Sequence, residues 1–285
     1  MKNTKKPTIG FIGQGWIGKN YADNFEERGY KVVRYAKEEP YTKNKDKIAK
    51  CDIVFIAVPT PSTPKGFDDS ILRKVLPLVG KGKIVVLKST LLPGTTAKLQ
   101  KKFPDIILMH SPEFLREVSA KFDTANPDRN IVGIPVDNKK YRTAAEKALS
   151  VMPKAPFEKV CTAEEAELVK YGGNCWLYVK VVFVNMLHDL SQQIPNVKYE
   201  TVRDAMKADP RIGDSHLDPV HKSGRGAGGH CFIKDFAAFA NLYEKLLDDP
   251  RGTEALRSFE KKNNHLLKTS GKDLDLLRGV YGDDI

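Results

Sequence analysis

Apolar residues recur along the first half of the chain in short continuous runs, each bounded by turn residues and separated from the next by helical sequence. Runs of this kind are typical of strands in a parallel sheet that is covered on both faces. The predicted strands are 8–12, 31–35, 52–59, 83–90, 105–112 and 130–135. The alternation of strand and helix predicts an α/β fold with a doubly wound, mostly parallel sheet.

After Pro156 the apolar residues recur at helical intervals instead. The proline-free stretch 162–194 predicts one long helix, and Thr162 with Glu165 matches a capping box at its start. Its middle is apolar nearly all round, which predicts burial by other helices or by a second subunit. We therefore expect two domains, 1–156 with the sheet and 157–285 as a helical domain around this long helix.

Composition and charge narrow the function classes. The 285 residues are 41% hydrophobic, which suits a soluble globular chain, and the formal charge of +11 favours an anionic partner. Nucleic-acid binding has only this net charge in its favour, because no arginine-rich tract or zinc-finger spacing occurs. The four cysteines are scattered without metal-ligand spacing, and no apolar stretch has the length of a signal or a membrane span. We expect a cytoplasmic protein with no metal and no membrane segment.

A glycine motif follows the first predicted strand at once. Gly13, Gly15 and Gly18 form G-x-G-x-x-G between that strand and a helical stretch, which is the order of a dinucleotide-binding βαβ unit. Gly13 permits the turn, Gly15 lets a pyrophosphate approach the backbone, and Gly18 allows close packing of helix and strand. The first domain is therefore predicted to be a Rossmann-type NAD(P)-binding domain.

The second strand lacks the usual acidic residue that binds the adenosine ribose. Arg34 and Lys37 lie near the expected place, and the acids Glu38 and Glu39 follow two or three residues late. Either the glutamates reach back to the ribose, or the basic residues meet a 2′-phosphate and the cofactor is NADP.

Two further features indicate chemistry in the helical domain. Cys231 follows the glycine-rich stretch 224–229 and precedes Lys234 and Asp235. A lone cysteine is commonly buried and behaves as a small hydrophobic residue. Here the glycines before Cys231 and the charged residues after it favour an accessible, nucleophilic thiol instead. Lys170 and Asn174 are four residues apart and so share one face of the long helix. Taken alone, this spacing is more typical of a solvated lysine beside a polar neighbour, because lysine is usually exposed.

The chain resembles the UDP-glucose/GDP-mannose dehydrogenase family in a series of motifs that run in order along nearly its whole length. The motifs are GQGWIG (13–18), FIAVPTP (55–61), KSTLLPGTT (88–96), SPEFLRE (111–117), PDRNIVG (127–133), AELVKYGGN (166–174), DPRIG (209–213) and GAGGHCFIKD (226–235). The resemblance implies NAD-dependent oxidation of the C6 alcohol of a nucleotide sugar such as UDP-glucose to a uronic acid. Two NAD molecules react in succession, through an aldehyde and a thioester on cysteine.

The resemblance also implies site residues. Cys231 is the implied nucleophile, Lys170 and Asn174 lie beside the reacting oxygen, Glu113 activates the hydrolytic water, and Asp235 and Thr90 orient that water or a base. The implied cofactor contacts are Gly13, Gly15, Trp16, Ile17, Gly18, Thr60, Thr90, Glu117 and Lys234. The implied substrate contacts are Glu113, Phe114, Leu115, Arg116, Lys170, Asn174, Gly226 and Gly228.

The sequence departs from the family at several positions. The family usually has asparagine at Ser111, glycine at Val118, phenylalanine at Ala227 and a small residue at His230. Family members also continue into another α/β domain that holds much of the substrate nucleotide, and we expect this chain to lack it.

The sequence also allows two alternative functions. At this length a glycine motif with Lys170 and Asn174 also looks like the short β-hydroxyacid dehydrogenases, which transfer one hydride and need no cysteine. The chain could instead be a truncated relative that binds a dinucleotide and acts with a partner chain. The apolar long helix predicts an interface, and we expect a homodimer formed through that helix.

Overall fold

The computed structural model describes residues 6–283 of the chain. They divide into two compact units, each with its own core. Within the described residues, unit 1 comprises 6–60 and 68–170, and unit 2 comprises 61–67 and 171–283.

The strands, in chain order, are β1 (Ile9–Ile12), β2 (Val32–Tyr35), β3 (Ile53–Ile56), β4 (Ser62–Thr63), β5 (Gly66–Phe67), β6 (Ile84–Leu87), β7 (Ile107–His110), β8 (Arg129–Ile134), β9 (Phe157–Thr162), β10 (Val220–His221) and β11 (Gly224–Arg225). The helices are α1 (Trp16–Glu27), α2 (Ser70–Val75), α3 (Thr95–Lys102), α4 (Ala120–Ala125), α5 (Lys139–Val151), α6 (Ala163–Ser191), α7 (Tyr199–Lys207), α8 (Gly229–Leu246), α9 (Pro250–Ser270) and α10 (Leu274–Tyr281). Short 3₁₀ helices span Thr42–Lys50, Leu76–Leu78 and Glu117–Ser119.

Unit 1 contains a seven-stranded sheet in the order β2-β1-β3-β6-β7-β8-β9. Every neighbouring pair is parallel except β7 and β8, which meet antiparallel at His110 and Gly133. The central strands are wholly buried because helices cover both faces, so they read as unbroken apolar runs. The predicted Rossmann-type, mostly parallel sheet is confirmed.

In the sheet, β2 lies on one side of β1 and β3 lies on the other. The connections therefore leave β1 in opposite directions, which creates a crevice at the carboxyl ends of β1 and β3. Phe11 on β1 stacks on Phe55 of β3 with ring centroids 5.2 Å apart, and both rings pack against Phe25 of α1. These contacts hold α1, which begins within the glycine motif, against the sheet.

Unit 2 is helical and includes two small hairpins, β4–β5 and β10–β11. Tyr178 of α6 stacks on Phe236 of α8 at 3.9 Å between ring centroids, and both side chains are buried. The contact fixes α8 beside the long helix.

The start of α6 matches the predicted capping box. The amide of Glu165 donates to the Thr162 hydroxyl at 3.2 Å, and the amide of Thr162 donates to the Glu165 carboxylate at 2.8 Å. Residues 157–162 form β9 and pair with β8, so the first compact unit extends past residue 156 and into α6. Helix α8 begins at Gly229, so Cys231 lies within its first turn.

Among residues 6–283, no helix combines the length and the apolar character needed to cross a membrane.

Candidate functional site

The glycine turn of unit 1 is tight at both ends and open in the middle. Gly13 has a φ of +91°, and a Cβ there would lie 2.2 Å from the carbonyl oxygen of Ala57. A Cβ on Gly18 would lie 2.0 Å from the carbonyl oxygen of Gly13, whereas one on Gly15 would meet nothing within 4 Å. Gly15 precedes α1 without a side-chain cap, so the helix begins with amides available to a ligand.

Two loops at the carboxyl ends of β3 and β6 are joined by hydroxyl groups. Thr60 donates from Oγ1 to the carbonyl oxygen of Thr90 at 2.7 Å, and Thr60 is buried. Ser89 donates to the carbonyl oxygen of Val58 at 2.7 Å and accepts from the Val58 amide. These bonds fix Thr60 and Thr90 next to each other at the edge where doubly wound sheets bind ligands.

A buried ion pair lies in the same unit. The ammonium of Lys170 donates to Oε1 of Glu113 at 2.9 Å and to the Glu113 carbonyl oxygen at 2.8 Å. The side chains are 5% and 4% exposed. The Leu115 amide donates to the other carboxylate oxygen at 2.8 Å, so the carboxylate is held at both oxygens. The Phe114 ring lies 5.8 Å from the Lys170 nitrogen.

A second buried lysine lies at the end of β6. Lys88, 3% exposed, donates to the Ser111 hydroxyl at 3.0 Å and lies 4.7 Å from the centre of the Tyr21 ring. Burial lowers the pKa of Lys88 to about 7, against the opposing attraction of Glu113. Neighbouring His110 is fully buried, and its pKa falls to about 3, first through burial and then through repulsion from Lys88.

One turn before Lys170, Glu167 joins α6 to the start of α3. Its carboxylate accepts from the amide of Gly94 at 2.6 Å and from the amide and hydroxyl of Thr96 at 2.8 and 2.6 Å. Burial raises the pKa of Glu167 to about 7, although these hydrogen bonds act in the opposite direction. The carboxylate caps α3 and fixes the rotation of α6 where Lys170 projects.

Unit 2 carries a polar cluster around Asp235. The Asn174 amide donates to Oδ2 of Asp235 at 2.6 Å, and the Lys234 ammonium bonds the other carboxylate oxygen. Asp235 is buried, whereas Lys234 is partly exposed. Asn174 on α6 is thus held by a charged residue of α8.

Cys231 lies in the first turn of α8 and is exposed. The positive end of the helix dipole favours a negative charge there. The other thiols differ, since burial raises the pKa of Cys51 and of Cys161 to about 11 and raises that of Cys175 further. No disulfide joins any of the four cysteines.

The glycines before Cys231 pack against α9 and the residues that follow it. The amide and carbonyl of Ala227 both bond the Asn263 side chain of α9, at 2.7 and 3.0 Å. A Cβ on Gly226 would lie 3.1 Å from Asn263, and one on Gly228 would lie 2.1 Å from the Asp273 carboxylate. This packing leaves little room for a side chain at Gly226 or Gly228. The assignment of these two glycines as substrate contacts stays a prediction.

Comparison with known proteins identifies the family. Residues 35–149 match the NAD binding domain of the UDP-glucose/GDP-mannose dehydrogenase family, and residues 164–265 match its central domain. The UDP-glucose 6-dehydrogenase AglM of Haloferax volcanii is 30% identical, over 87% of this chain and 68% of its own. The chain belongs to the UDP-glucose/GDP-mannose dehydrogenase family.

The chain is also similar to other proteins. An uncharacterised protein of Methanocaldococcus jannaschii, MJ1054, is 31% identical over 86% of this chain and 29% of its own. A solved UDP-glucose dehydrogenase structure from Pyrobaculum islandicum superposes with a TM-score of 0.79 at 27% identity, covering 93% of this chain and 69% of that one. The chain spans about half the length of two bacterial UDP-glucose 6-dehydrogenases that it also matches.

Family membership makes unit 1 an NAD-binding domain, and the glycine turn fits that cofactor. Gly13 and Gly18 are required by the tight turn, while the space above Gly15 and the uncapped start of α1 suit a pyrophosphate. Thr60 and Thr90, predicted to contact cofactor, lie together as described. Trp16, Glu117 and Val118 line one open pocket beside the start of α1.

The implied substrate contacts Phe114, Leu115 and Arg116 differ in their burial and in their neighbours. Leu115 packs against the core, and Phe114 lies under the Arg129 guanidinium at 3.8 Å from the ring centre. The Arg116 guanidinium bonds Asp123 at 2.6 Å and is largely exposed. Their contacts with a sugar nucleotide stay predictions.

Sequence reasoning missed Lys88 and Glu167. A lysine directly after a buried strand, and a glutamate one turn before Lys170, were the available signals. Neither signal is decisive, because lysine and glutamate are usually solvent-exposed.

Proposed function

We propose that this chain oxidises the C6 alcohol of a nucleotide sugar to a carboxylate, with Cys231 as the nucleophile. The observation that carries the proposal is the position of Cys231, exposed in the first turn of α8 and three residues before Lys234. The buried alternatives Cys51 and Cys175 have raised pKa values through burial and are unsuited to nucleophilic attack at neutral pH.

The chemistry proceeds in steps on the sugar carbon and the Cys231 sulfur. The alcohol loses a proton and a hydride and becomes an aldehyde. The thiolate adds to the aldehyde carbon, and the adduct loses a second hydride to give a thioester. Water then attacks the thioester carbon, the C–S bond breaks, and the carboxylate and the Cys231 thiol are released. NAD, when bound at the glycine turn, supplies the acceptor for each hydride.

Lys170 and Asn174 are proposed to stabilise negative charge on the reacting oxygen. Lys170 carries hydrogen-bond donors into a buried site, where electrostatic stabilisation is stronger than in water. Asn174 offers an amide whose orientation Asp235 fixes at 2.6 Å. Both residues lie on α6, one turn apart, which supports a shared role.

Glu113 is proposed to accept the proton of the hydrolytic water. Its carboxylate is buried, paired with Lys170 and held by the Leu115 amide, so its position is well defined. Thr90 and Asp235 are proposed to orient the water or the base. Lys234, Thr60 and Glu117 are proposed cofactor contacts, together with the glycine turn.

The names of several relatives support UDP-glucose or a close analogue as the substrate, because those proteins are UDP-glucose 6-dehydrogenases. A homodimer formed through α6 and a cytoplasmic location are further parts of the proposal. The exposed apolar residues of α6 support the dimer, and the absence of disulfides among the four cysteines suits a reducing compartment.

The test is to incubate the purified chain with UDP-glucose and NAD and to follow NADH by absorbance and the uronic acid by mass spectrometry. The proposal requires two NADH for each sugar oxidised. The Cys231→Ser variant should form no thioester and no acid. Cys161→Ser is the matched control and should retain wild-type rates, because Cys161 lies in β9 with a raised pKa caused first by burial.

Three outcomes would contradict the proposal. One NADH per substrate, with full activity in Cys231→Ser, would favour a short β-hydroxyacid dehydrogenase. Activity that appears only after a second chain is added would favour a dinucleotide-binding protein that works with a partner. No reduction of NAD with any nucleotide sugar would remove the enzymatic function itself.

A further inference from the structure

The side chain of Lys272 lies buried against the glycine-rich stretch 224–229, which precedes Cys231. Its ammonium donates to the carbonyl oxygen of Gly226 at 2.9 Å and to that of Gly224 at 3.3 Å. Lys272 is only 5% exposed. Because a buried charge is stable only when it is hydrogen-bonded, these bonds tie the glycine-rich stretch firmly to the segment between α9 and α10.

Asp273, the next residue, caps α8 although it lies 44 positions later in the chain than the amide it binds. The amide of Gly229, the first residue of α8, donates to Oδ2 of Asp273 at 2.7 Å. Gly228 precedes the helix and supplies no side-chain cap of its own. The Asp273 carboxylate therefore replaces the missing cap, and it puts a negative charge at the start of the helix that carries Cys231.

The backbone of Asp273 is held in an uncommon conformation. Its φ of +52° and ψ of +36° lie in the left-handed region, which few residues other than glycine, asparagine and aspartate adopt. Such a conformation persists where the surrounding structure holds it. The buried Leu277 of α10 packs against Ile233 of α8 and Leu267 of α9, so the segment that carries Asp273 is anchored to both helices.

We propose that Asp273 is a positioning residue for Cys231: its carboxylate caps α8 and fixes the first turn of that helix, so that the thiol keeps the place from which it attacks the aldehyde. The Asp273 carboxylate binds the amide of Gly229, and Cys231 follows two residues later in the same turn. This role rests on the proposed function, in which Cys231 is the nucleophile.

The first experiment follows NADH formation in a single turnover, with the full chain in excess over UDP-glucose and with saturating NAD. Asp273→Gly removes the carboxylate and suits the left-handed backbone. The second hydride transfer, which needs Cys231, should slow about tenfold, on the scale of one lost N-cap bond. The first transfer precedes the thiol addition and should keep its wild-type rate. Asp273→Asn keeps an oxygen that accepts from Gly229 and should hold the second transfer within about twofold of the wild type.

The second experiment measures alkylation of Cys231 by iodoacetamide at pH 7, without substrate, by peptide mapping. Asp273→Asn and Asp273→Gly both remove one negative charge from the start of α8, so alkylation should be about two- to fivefold faster than in the wild type. Asp275→Asn is the matched control, since Asp275 is exposed in the first turn of α10. This variant should react at the wild-type rate.

Four results would overturn the proposal. A second transfer as fast in Asp273→Gly as in the wild type would show that the cap does not position Cys231. Equal slowing of both transfers, or equal slowing of the second transfer in Asp273→Asn and Asp273→Gly, would show a general structural effect instead. Alkylation that responds equally to Asp275→Asn would remove the local effect of the Asp273 charge.

The alkylation readout needs no sugar oxidation, so it separates this proposal from the proposed function. A wild type that oxidises no nucleotide sugar, with faster alkylation in both Asp273 variants, would remove the proposed function and support the cap on α8. A wild type that forms two NADH per sugar, with both transfers unchanged in Asp273→Gly, would leave the function intact and overturn the positioning role.

Discussion

The ammonium nitrogen of Lys170 lies 2.9 Å from a carboxylate oxygen of Glu113, and both side chains are buried. The two residues are 57 positions apart in the chain. The same ammonium bonds the Glu113 carbonyl oxygen, so it links α6 to both the backbone and the side chain of the segment after β7. An acid and a cation with fixed geometry thus share one enclosed position.

Removing only one member of this pair should destabilise the protein strongly. Lys170→Met leaves the Glu113 carboxylate buried without this counter-charge, and we expect the free energy of unfolding to fall by about 3–5 kcal/mol. The double variant Lys170→Met with Glu113→Gln should recover part of that loss because the isolated charge is gone. Urea denaturation of the single and double variants measures both.

An exposed ion pair provides the control for that cycle. Lys121 pairs with Glu27 at 2.9 Å, but the two side chains are 79% and 53% exposed. Lys121→Met should cost less than about 1 kcal/mol, since solvent screens such pairs. Equal losses of unfolding free energy in Lys170→Met and Lys121→Met would contradict the prediction that burial makes the Lys170–Glu113 pair more sensitive to removal of one partner.

The thiols should differ widely in reactivity. At pH 8 a thiol whose pKa is about 11 is thiolate in roughly one molecule of a thousand, and Cys51 and Cys161 have such values through burial. Cys175 is buried with a pKa raised further. Iodoacetamide should therefore label Cys231 first, as intact-mass spectrometry and peptide mapping can show. The Cys231→Ser variant should lose the rapid phase, and rapid labelling of any other cysteine would contradict the assignment.

Much of unit 1 could be predicted because its signals are local. Apolar runs such as β3 and β6 are buried on both faces, and the glycine motif must follow β1 for the turn to form. The capping box at Thr162 and Glu165 is likewise a four-residue pattern with its own hydrogen bonds. Interactions between residues that are close in sequence were therefore sufficient to predict these features.

Other features depend on partners far away in the sequence. β9 is a strand because it pairs with β8, although its alternating polar residues do not read as a covered strand. Glu167 is buried because the start of α3, 71 residues earlier, supplies its donors. Arg34 looks available for a 2′-phosphate until the fold brings Asp23 and Glu26 against it. Such pairings cannot be predicted from spacing in one sequence.

The exposed face of α6 makes a prediction about oligomeric state. Trp176, Phe183 and Leu190 recur at seven-residue intervals and are 67%, 52% and 57% exposed. Apolar residues at this interval form a continuous seam on a helix, which a second copy of the helix can cover. Sedimentation should show a dimer for the wild type and a monomer for Phe183→Asp with Leu190→Asp. A wild-type monomer at micromolar concentration would contradict the proposed homodimer.

Lys88 should make stability depend on pH above neutrality. Burial lowers its pKa in the folded chain to about 7 from 10.5, so between these values the unfolded chain binds more protons than the folded one. Stability therefore rises with pH through this window, by at most about 1.4 kcal/mol per pH unit from this group. Lys88→Met should flatten the curve of unfolding free energy from pH 7.5 to 9.5. Lys81, whose side chain is 83% exposed, provides the control Lys81→Met, which should follow the wild-type curve. Parallel curves for wild type and Lys88→Met would show that Lys88 keeps its proton in the folded chain.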